Sequence, residues 1–472
     1  MSTTPDPANP TTIAPPLPPA RRPWSPAEIA AWAVILIVVA FIAFRAAASQ
    51  RDQAAAIEPE ITLPMMSQYA LGVHLLYTQM DSAATLDAID AKLLSELDRT
   101  AKTPADRFRV AILAGELQGP AEALARMKSL ADEDPSLAPD LATASDLYAG
   151  RPAPPDAWPA FQSKYRWFAD LLAATGKPAA DPARAAALAQ AWRTLFALVI
   201  TFAAAALLAL AGLVLLIIAL VRLARDKLKL AFNPMEATGQ RADRRAYAVG
   251  MAIYLGGFLI LGRSLVWALQ HLPAKFAPPI ATNTMAYLAF ATAFALGAII
   301  PLLLGQSWRQ WKTTLGLTTG RGILREIAGG LLGYLAGMPL MGLGIGLVLV
   351  LTKITGIKGT HPIVHELQGS PGELAVVFFL ACVFAPVTEE LMFRGALFAH
   401  LRERFPWWIA APAMAVLFAL MHPQSWIALP VLAAIAIVFA GIREWRGSII
   451  GCMAAHAVHN GLALAVAVTL LR

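Results

Sequence analysis

From Thr194 onward the sequence is a succession of apolar runs, at about 194–221, 246–269, 284–304, 326–352, 373–400, 407–422, 426–442 and 448–471. Runs of this length leave few folds open. In hydrocarbon every backbone N–H and C=O must be satisfied within the protein, and about 20 consecutive apolar residues achieve this as a membrane-crossing helix. A ninth run, from about Ile29 to Ala48, follows Arg21-Arg22. With 57% hydrophobic and only 15% charged residues, the chain is far more apolar than a soluble protein needs to be. The expected fold class is all-α: a polytopic transmembrane helix bundle of about nine spans, with an extracytoplasmic helical domain.

The first 28 residues read as a Pro/Thr-rich disordered tail. Ala46-Ala47-Ala48 offers a small-residue cleavage pattern, but the length and position of the run at 29–48 favour an uncleaved transmembrane anchor. Residues 49–192 read as a separate helical domain. Phe108, Ile112 and Leu117, and then Ala121, Leu124 and Met127, recur at helical spacing. Gly119-Pro120 punctuates them into a hairpin that faintly suggests a tetratricopeptide-like unit, without a repeat of fixed period. His74 in this region reads as an ordinary core histidine. Residues 193–319 then hold transmembrane helices with basic loops, and 320–472 form a last membrane domain.

Charge orients these pieces. Residues 51–192 hold 13 Lys/Arg and 19 Asp/Glu, a balance of −6 that leaves +13 for the rest of a chain whose net charge is +7. Segment 222–245 carries seven basic residues against three acids, and 306–325 carries Arg309, Lys312, Arg321 and Arg325 with no acid. The positive-inside rule makes both cytoplasmic. Counting spans outward, the N-terminus and the turns at Arg402/Arg404 and Arg443/Arg446 also fall inside, and residues 50–190 fall outside. The expected setting is a bacterial plasma (inner) membrane. The basic surplus is then an orientation and lipid-contact signal, and no nucleic-acid partner is implied.

The last spans contain residues that a membrane helix normally rejects. These are Glu389-Glu390 with Arg394, Phe418 with His422, and His456 with Asn460. Each ionisable group in hydrocarbon costs roughly 2.5–3.5 kcal/mol on insertion scales, so such groups persist mainly for function. At about 1.5 Å of rise per residue, Glu389, His456 and His422 lie roughly 16, 12 and 22 Å above the inner ends of their spans. All three fall within a core about 30 Å thick, where one intramembrane pocket can gather them.

Glu390 and Arg394 stand four apart, an ion-pair spacing. Glu389 has Phe393 rather than a cation four residues on, which makes it the better functional carboxylate. Pro386 removes a helical hydrogen bond just before the acids. His456 and Asn460 share a helical face, and His459 can join them as a third ligand or a bystander. Amide hydrolysis needs a base for water, a donor to the leaving nitrogen and stabilisation of the oxyanion, and glutamate, histidine and asparagine supply these without a nucleophile. Ser448 and Cys452 lack an acid–base partner. The two cysteines, Cys382 and Cys452, lie within apolar runs and serve packing.

This ordered set, Glu-Glu-x-x-x-Arg at 389–394, Phe-x-x-x-His at 418–422 and His-x-x-x-Asn at 456–460, resembles the CPBP (Abi) intramembrane endopeptidases. That family includes the CAAX prenyl proteases and relatives linked to bacteriocin self-immunity. The resemblance covers about 320–472. It implies that Glu389 and His422 activate water, that His456 and Asn460 bind the oxyanion, and that Glu390 and Arg394, with Phe418, support the site. It leaves the metal open: Glu389, His422 and His456 would be the ligands of a zinc ion, or no cofactor is needed and Asn460 donates directly, which the carboxamide favours. The implied partners are a membrane-associated peptide or protein substrate and the lipid bilayer, with a further protein partner for residues 50–190. Apart from the resemblance, His361-x-x-x-His365-Glu366 reads as a loop capping the membrane domain, with an accessory metal site as the alternative. The alternatives are a catalytically silent scaffold or immunity-type protein, and a proton-coupled transporter.

Overall fold

The computed structural model describes residues 23–80, 83–232, 244–271, 282–357, 367, 370–422 and 425–471, and among them every regular element is a helix. Helix α1 (Pro26–Gln79) is started by Ser25, which accepts from Glu28 N while the Glu28 carboxylate accepts from Ser25 N. The tail read to residue 28 therefore ends earlier. Glu28 is fully buried and pairs with Arg404 at 2.9 Å, and the Arg404 guanidinium lies 3.9 Å from the Trp24 ring. Sequence assigns these residues to the tail because a lone Trp and Glu beside prolines carry no periodicity; their partners lie at the far end of the chain.

Helix α1 has 54 residues, about 81 Å at the usual rise, so it crosses the membrane and continues into the next domain. The boundary read at residue 48 falls inside it. Ala46–Ala48 and Ala54–Ala56 favour continued helix there. The domain is completed by α2 (Ala83–Thr100), α3 (Pro104–Leu117), α4 (Pro120–Glu133), α5 (Ala138–Tyr148), α6 (Trp158–Tyr165) and α7 (Trp167–Ala173). Gly119, at φ 100°, makes the turn of the α3–α4 hairpin, a conformation that L side chains resist. Leu71, Leu94, Phe108, Ile112, Met127 and Phe168 form one buried core. His74 sits at its edge rather than within it, bonded through Nδ1 to Asp90 at 2.8 Å. Burial holds the Asp90 carboxyl above its usual range, against the opposing pull of His74.

Helix α8 (Pro182–Ala224) is capped by Asp181 and also serves both regions. Ala187 and Ala191 belong to the domain core, whereas Phe202 and Leu207, further along, are 71% and 68% exposed. An apolar helix so bare is a lipid-facing one.

The membrane part continues with α9 (Arg245–His271), α10 (Thr282–Leu303), α11 (Trp308–Leu315), α12 (Ile323–Thr355), α13 (Pro371–Arg404), α14 (Trp407–Leu420), α15 (Leu429–Arg446) and α16 (Ile450–Leu471). Each of the nine apolar runs forms a helix. Seven are long and apolar enough to cross a membrane, and Leu288–Leu303 and Trp407–Leu420 are shorter apolar helices. The 14 residues of α14 rise about 21 Å, less than a hydrocarbon core. The protein is an integral membrane protein.

Helix α12 approaches α16 at glycine: a Cβ on Gly330 would collide with the backbone of Gly451. Around one end of the bundle, polar groups tie the helices together. Arg402 makes two bonds to Glu444, Arg446 makes two to Glu326, and Arg244 donates to Ala399 O. Arg443 is buried and donates to the carbonyls of Arg394 and Thr314. The turns read as basic loops at 402–404 and 443–446 are thus the last turns of α13 and α15, paired rather than solvated. The histidines at 361 and 365, Glu366 and positions 233–243 of the basic segment 222–245 lie outside the described residues.

Candidate active site

Helix α13 is irregular where its chemistry lies. Between Leu380 and Phe384, and again between Glu390 and Leu397, its hydrogen bonds run with the wider i to i+5 spacing of a π-helix. In the first of these turns Ala385 N donates to Leu380 O, one residue further back than an α-helix would choose. Pro386 has no N–H to offer. The carbonyl of Ala381 is therefore left without a donor from its own helix. Asn460 Nδ2 supplies one from α16, at 2.7 Å. An unfilled carbonyl in hydrocarbon would cost several kcal/mol, so this contact also fixes α16 against α13.

The second irregular turn presents the two glutamates differently. The side chains of Glu390 and Arg394 are 0% exposed and paired at 2.9 Å, whereas the Glu389 side chain remains 20% exposed. Spacing alone anticipates the pair. It does not anticipate that Glu390 Oε1 also accepts from His456 Nδ1, at 2.8 Å. With Nδ1–H donating, the imidazole turns its other nitrogen toward Glu389; His456 Nε2 lies 3.9 Å from Glu389 Oε2. That oxygen is buried and has no hydrogen-bond partner among the described residues.

His422 and Phe418 join through aromatic contact. The Arg394 guanidinium lies 4.5 Å from the Phe418 ring centre, and the Phe418 and His422 rings are 4.5 Å apart. His422 Nδ1 bonds the carbonyl of Phe418 at 2.8 Å, four residues back, which fixes the ring against its own helix. A continuous chain of contacts thus runs from His422 through Phe418, Arg394, Glu390 and His456 to Glu389. Asn460 touches the same helix one π turn earlier. All seven residues singled out in the sequence lie around α13 and its neighbours α14 and α16.

The metal reading fares differently. Among the described residues no three His, Cys, Asp or Glu side chains are gathered closely enough to hold an ion, so Glu389, His422 and His456 do not form a ligand set here. His459 is turned away to Tyr334, whose hydroxyl lies 3.0 Å from its Nδ1. Ser448 Oγ donates to Thr318 O and Cys452 Sγ to Phe439 O, so neither is arranged as a nucleophile.

Several residues at the site carry no signal in the sequence. Phe439 of α15 packs 5.3 Å from the His456 ring and 5.2 Å from the Arg394 guanidinium. Tyr254 of α9 is buried within electrostatic reach of Glu389. An aromatic residue in an apolar helix looks like core until its polar neighbours are known.

No curated protein and no solved structure matches the chain. Residues 371–462, which contain all three motifs from Glu389 to Asn460, match the family model described as type II CAAX prenyl endopeptidase, Rce1-like, and so match the CPBP/CAAX protease family.

Proposed function

We propose that the protein is an intramembrane endopeptidase that hydrolyses a peptide bond of a membrane-associated substrate with water, using Glu389 and His422 as activating groups. The observation that carries this reading is the division of labour between two adjacent carboxylates. Glu390 is spent on Arg394 and on orienting His456. Glu389 keeps an unpartnered oxygen and partial access, beside an imidazole nitrogen that is already aimed. That is the arrangement a general base needs: a free carboxylate held in place by neighbours that do not consume it.

A water between Glu389 and His422 would lose its proton to the carboxylate as it attacks the scissile carbonyl. The proton then passes to the departing amine, and His456 as an imidazolium, donating through Nε2–H, and the second N–H of Asn460 Nδ2 stabilise the oxyanion. Asn460 has two such hydrogens, and the bond to Ala381 uses one. In this reading its oxyanion role coexists with its structural one.

For orientation, the N-terminus and the basic segments 222–245 and 306–325 lie in the cytoplasm, and residues 50–190 lie outside. The charge pattern supports this. So does the clustering of Glu28, Arg244, Thr318, Glu326, Arg404 and Arg446 around one end of the bundle. The reading is tested by cleavage of candidate membrane peptides by the purified chain and by its Glu389→Gln variant.

A further inference from the structure

A groove of about 1660 Å³ runs between α6, α7, the domain half of α8 and the tip of α16, and none of the seven site residues lines it. Its walls differ in character. One is apolar and belongs to membrane spans, with Phe196 and Ile200 from α8 and Val468 from α16. The other belongs to the domain and carries cations and tryptophans. Trp192 stacks on Phe196 at 5.4 Å, and Trp167 is pinned by its Nε1–H to Ala187 O at 3.1 Å.

Two of its cations are already neutralised: Arg109 pairs with Asp106 and Lys164 with Asp140. Arg166 and Arg193 are exposed and have no acidic partner among the described residues. Asp170 also lines the groove and accepts from Gln162. The groove thus offers two guanidiniums beside an apolar wall, where α8 passes from the domain into lipid.

Arg166 is held in place by its backbone. Its backbone is at φ 49°, ψ −122°, the conformation of the first central residue of a type II′ turn, which glycine adopts freely and arginine does not. Such positions persist where the surrounding structure over-determines the backbone, here at the corner joining α6 to α7, and that corner fixes where the Arg166 side chain leaves the chain.

We propose that this groove binds an anionic phospholipid, with the headgroup phosphate between Arg166 and Arg193, the glycerol region against Trp167 and Trp192, and the acyl chains along Phe196, Ile200 and Val468. An amphiphile complements both walls at once. A free phosphate satisfies only the cationic wall, and an acidic peptide leaves the apolar wall bare. Guanidiniums hold phosphate by paired charge-assisted bonds, and tryptophan favours the headgroup level.

The test is native mass spectrometry of the full chain in detergent, titrated with phosphatidylglycerol, phosphatidylcholine of the same chains, glycerol 3-phosphate or a polyglutamate peptide. Phosphatidylglycerol should bind at one saturable site. Binding should weaken about fivefold in Arg193→Gln and about 25-fold in Arg166→Gly/Arg193→Gln. Arg166→Gly removes the charge while easing the backbone, so the variant should melt no lower than the parent, and weaker binding cannot be blamed on unfolding. Equal binding of phosphatidylcholine, tight binding of glycerol 3-phosphate, preference for a polyglutamate peptide, or phosphatidylglycerol binding unchanged in the double variant would each overturn the proposal.

Discussion

Replacing Glu390 by glutamine separates the two glutamates more sharply than any other single change. Arg394 is fully buried, with Phe418 and Phe439 near its guanidinium and the Ala436 carbonyl at 3.4 Å; among the described residues Glu390 is the carboxylate that pairs with it. Among the described residues the Nε of Arg394 has no hydrogen-bond partner even in the native arrangement. Glu390→Gln keeps the shape and one acceptor oxygen but strands the positive charge. An orphaned buried charge costs about 3–5 kcal/mol, a large part of a typical folding free energy of about 5–15 kcal/mol. Scanning fluorimetry in detergent should therefore show a clear fall in melting temperature. Glu390→Leu combined with Arg394→Met should recover most of the loss, because it removes both charges together. Glu389→Gln should behave differently. Its side chain is partly exposed and its nearest ionisable neighbour, His456, is 3.9 Å away, so stability should change by less than about 1 kcal/mol while the rate falls about 10²–10⁴-fold through loss of the base. Normal melting of Glu390→Gln together with a collapsed Glu389→Gln would refute the assignment of roles.

Asn460→Ala should destabilise the fold by about 1–3 kcal/mol, because it orphans the Ala381 carbonyl, and should also slow cleavage about 10²–10³-fold if the second N–H serves the oxyanion. Melting and turnover measured on the same sample separate the two effects. Single cysteines at Ser163 and Ser307, in a background lacking Cys382 and Cys452, should label from opposite sides with an impermeant thiol reagent; labelling from one side would refute the orientation. Elemental analysis should find less than stoichiometric metal, and activity should survive exhaustive chelation. Stoichiometric zinc whose removal abolishes activity and whose return restores it would overturn the water-only reading.

What was legible in the sequence was what depends on neighbours along the chain. Nine apolar runs gave nine helices because hydrocarbon leaves the backbone no alternative. The pairing of Glu390 with Arg394 follows from a four-residue step. The hairpin at Gly119-Pro120 follows from turn chemistry. What was hidden depends on partners brought together by folding. The Nδ1 bond of His456 goes to Glu390, 66 residues away. Asn460, with its spacing from His456, suggests an oxyanion donor, yet its contact is a carbonyl freed by a π turn that no local pattern announces. Trp24 and Glu28 sit beside a proline-rich stretch, and only Arg404 reveals that they belong to the fold.

The central claim is that the cluster around Glu389 breaks peptide bonds. The direct measurement is to incubate the purified chain in detergent or proteoliposomes with a library of membrane-anchored peptides in H₂¹⁸O and to identify products by mass spectrometry. Cleavage at defined bonds, with one ¹⁸O in the new carboxylate and no product from Glu389→Gln, is the predicted result. Equal cleavage by the Glu389→Gln variant, or no cleavage of any peptide by a folded protein, would contradict it.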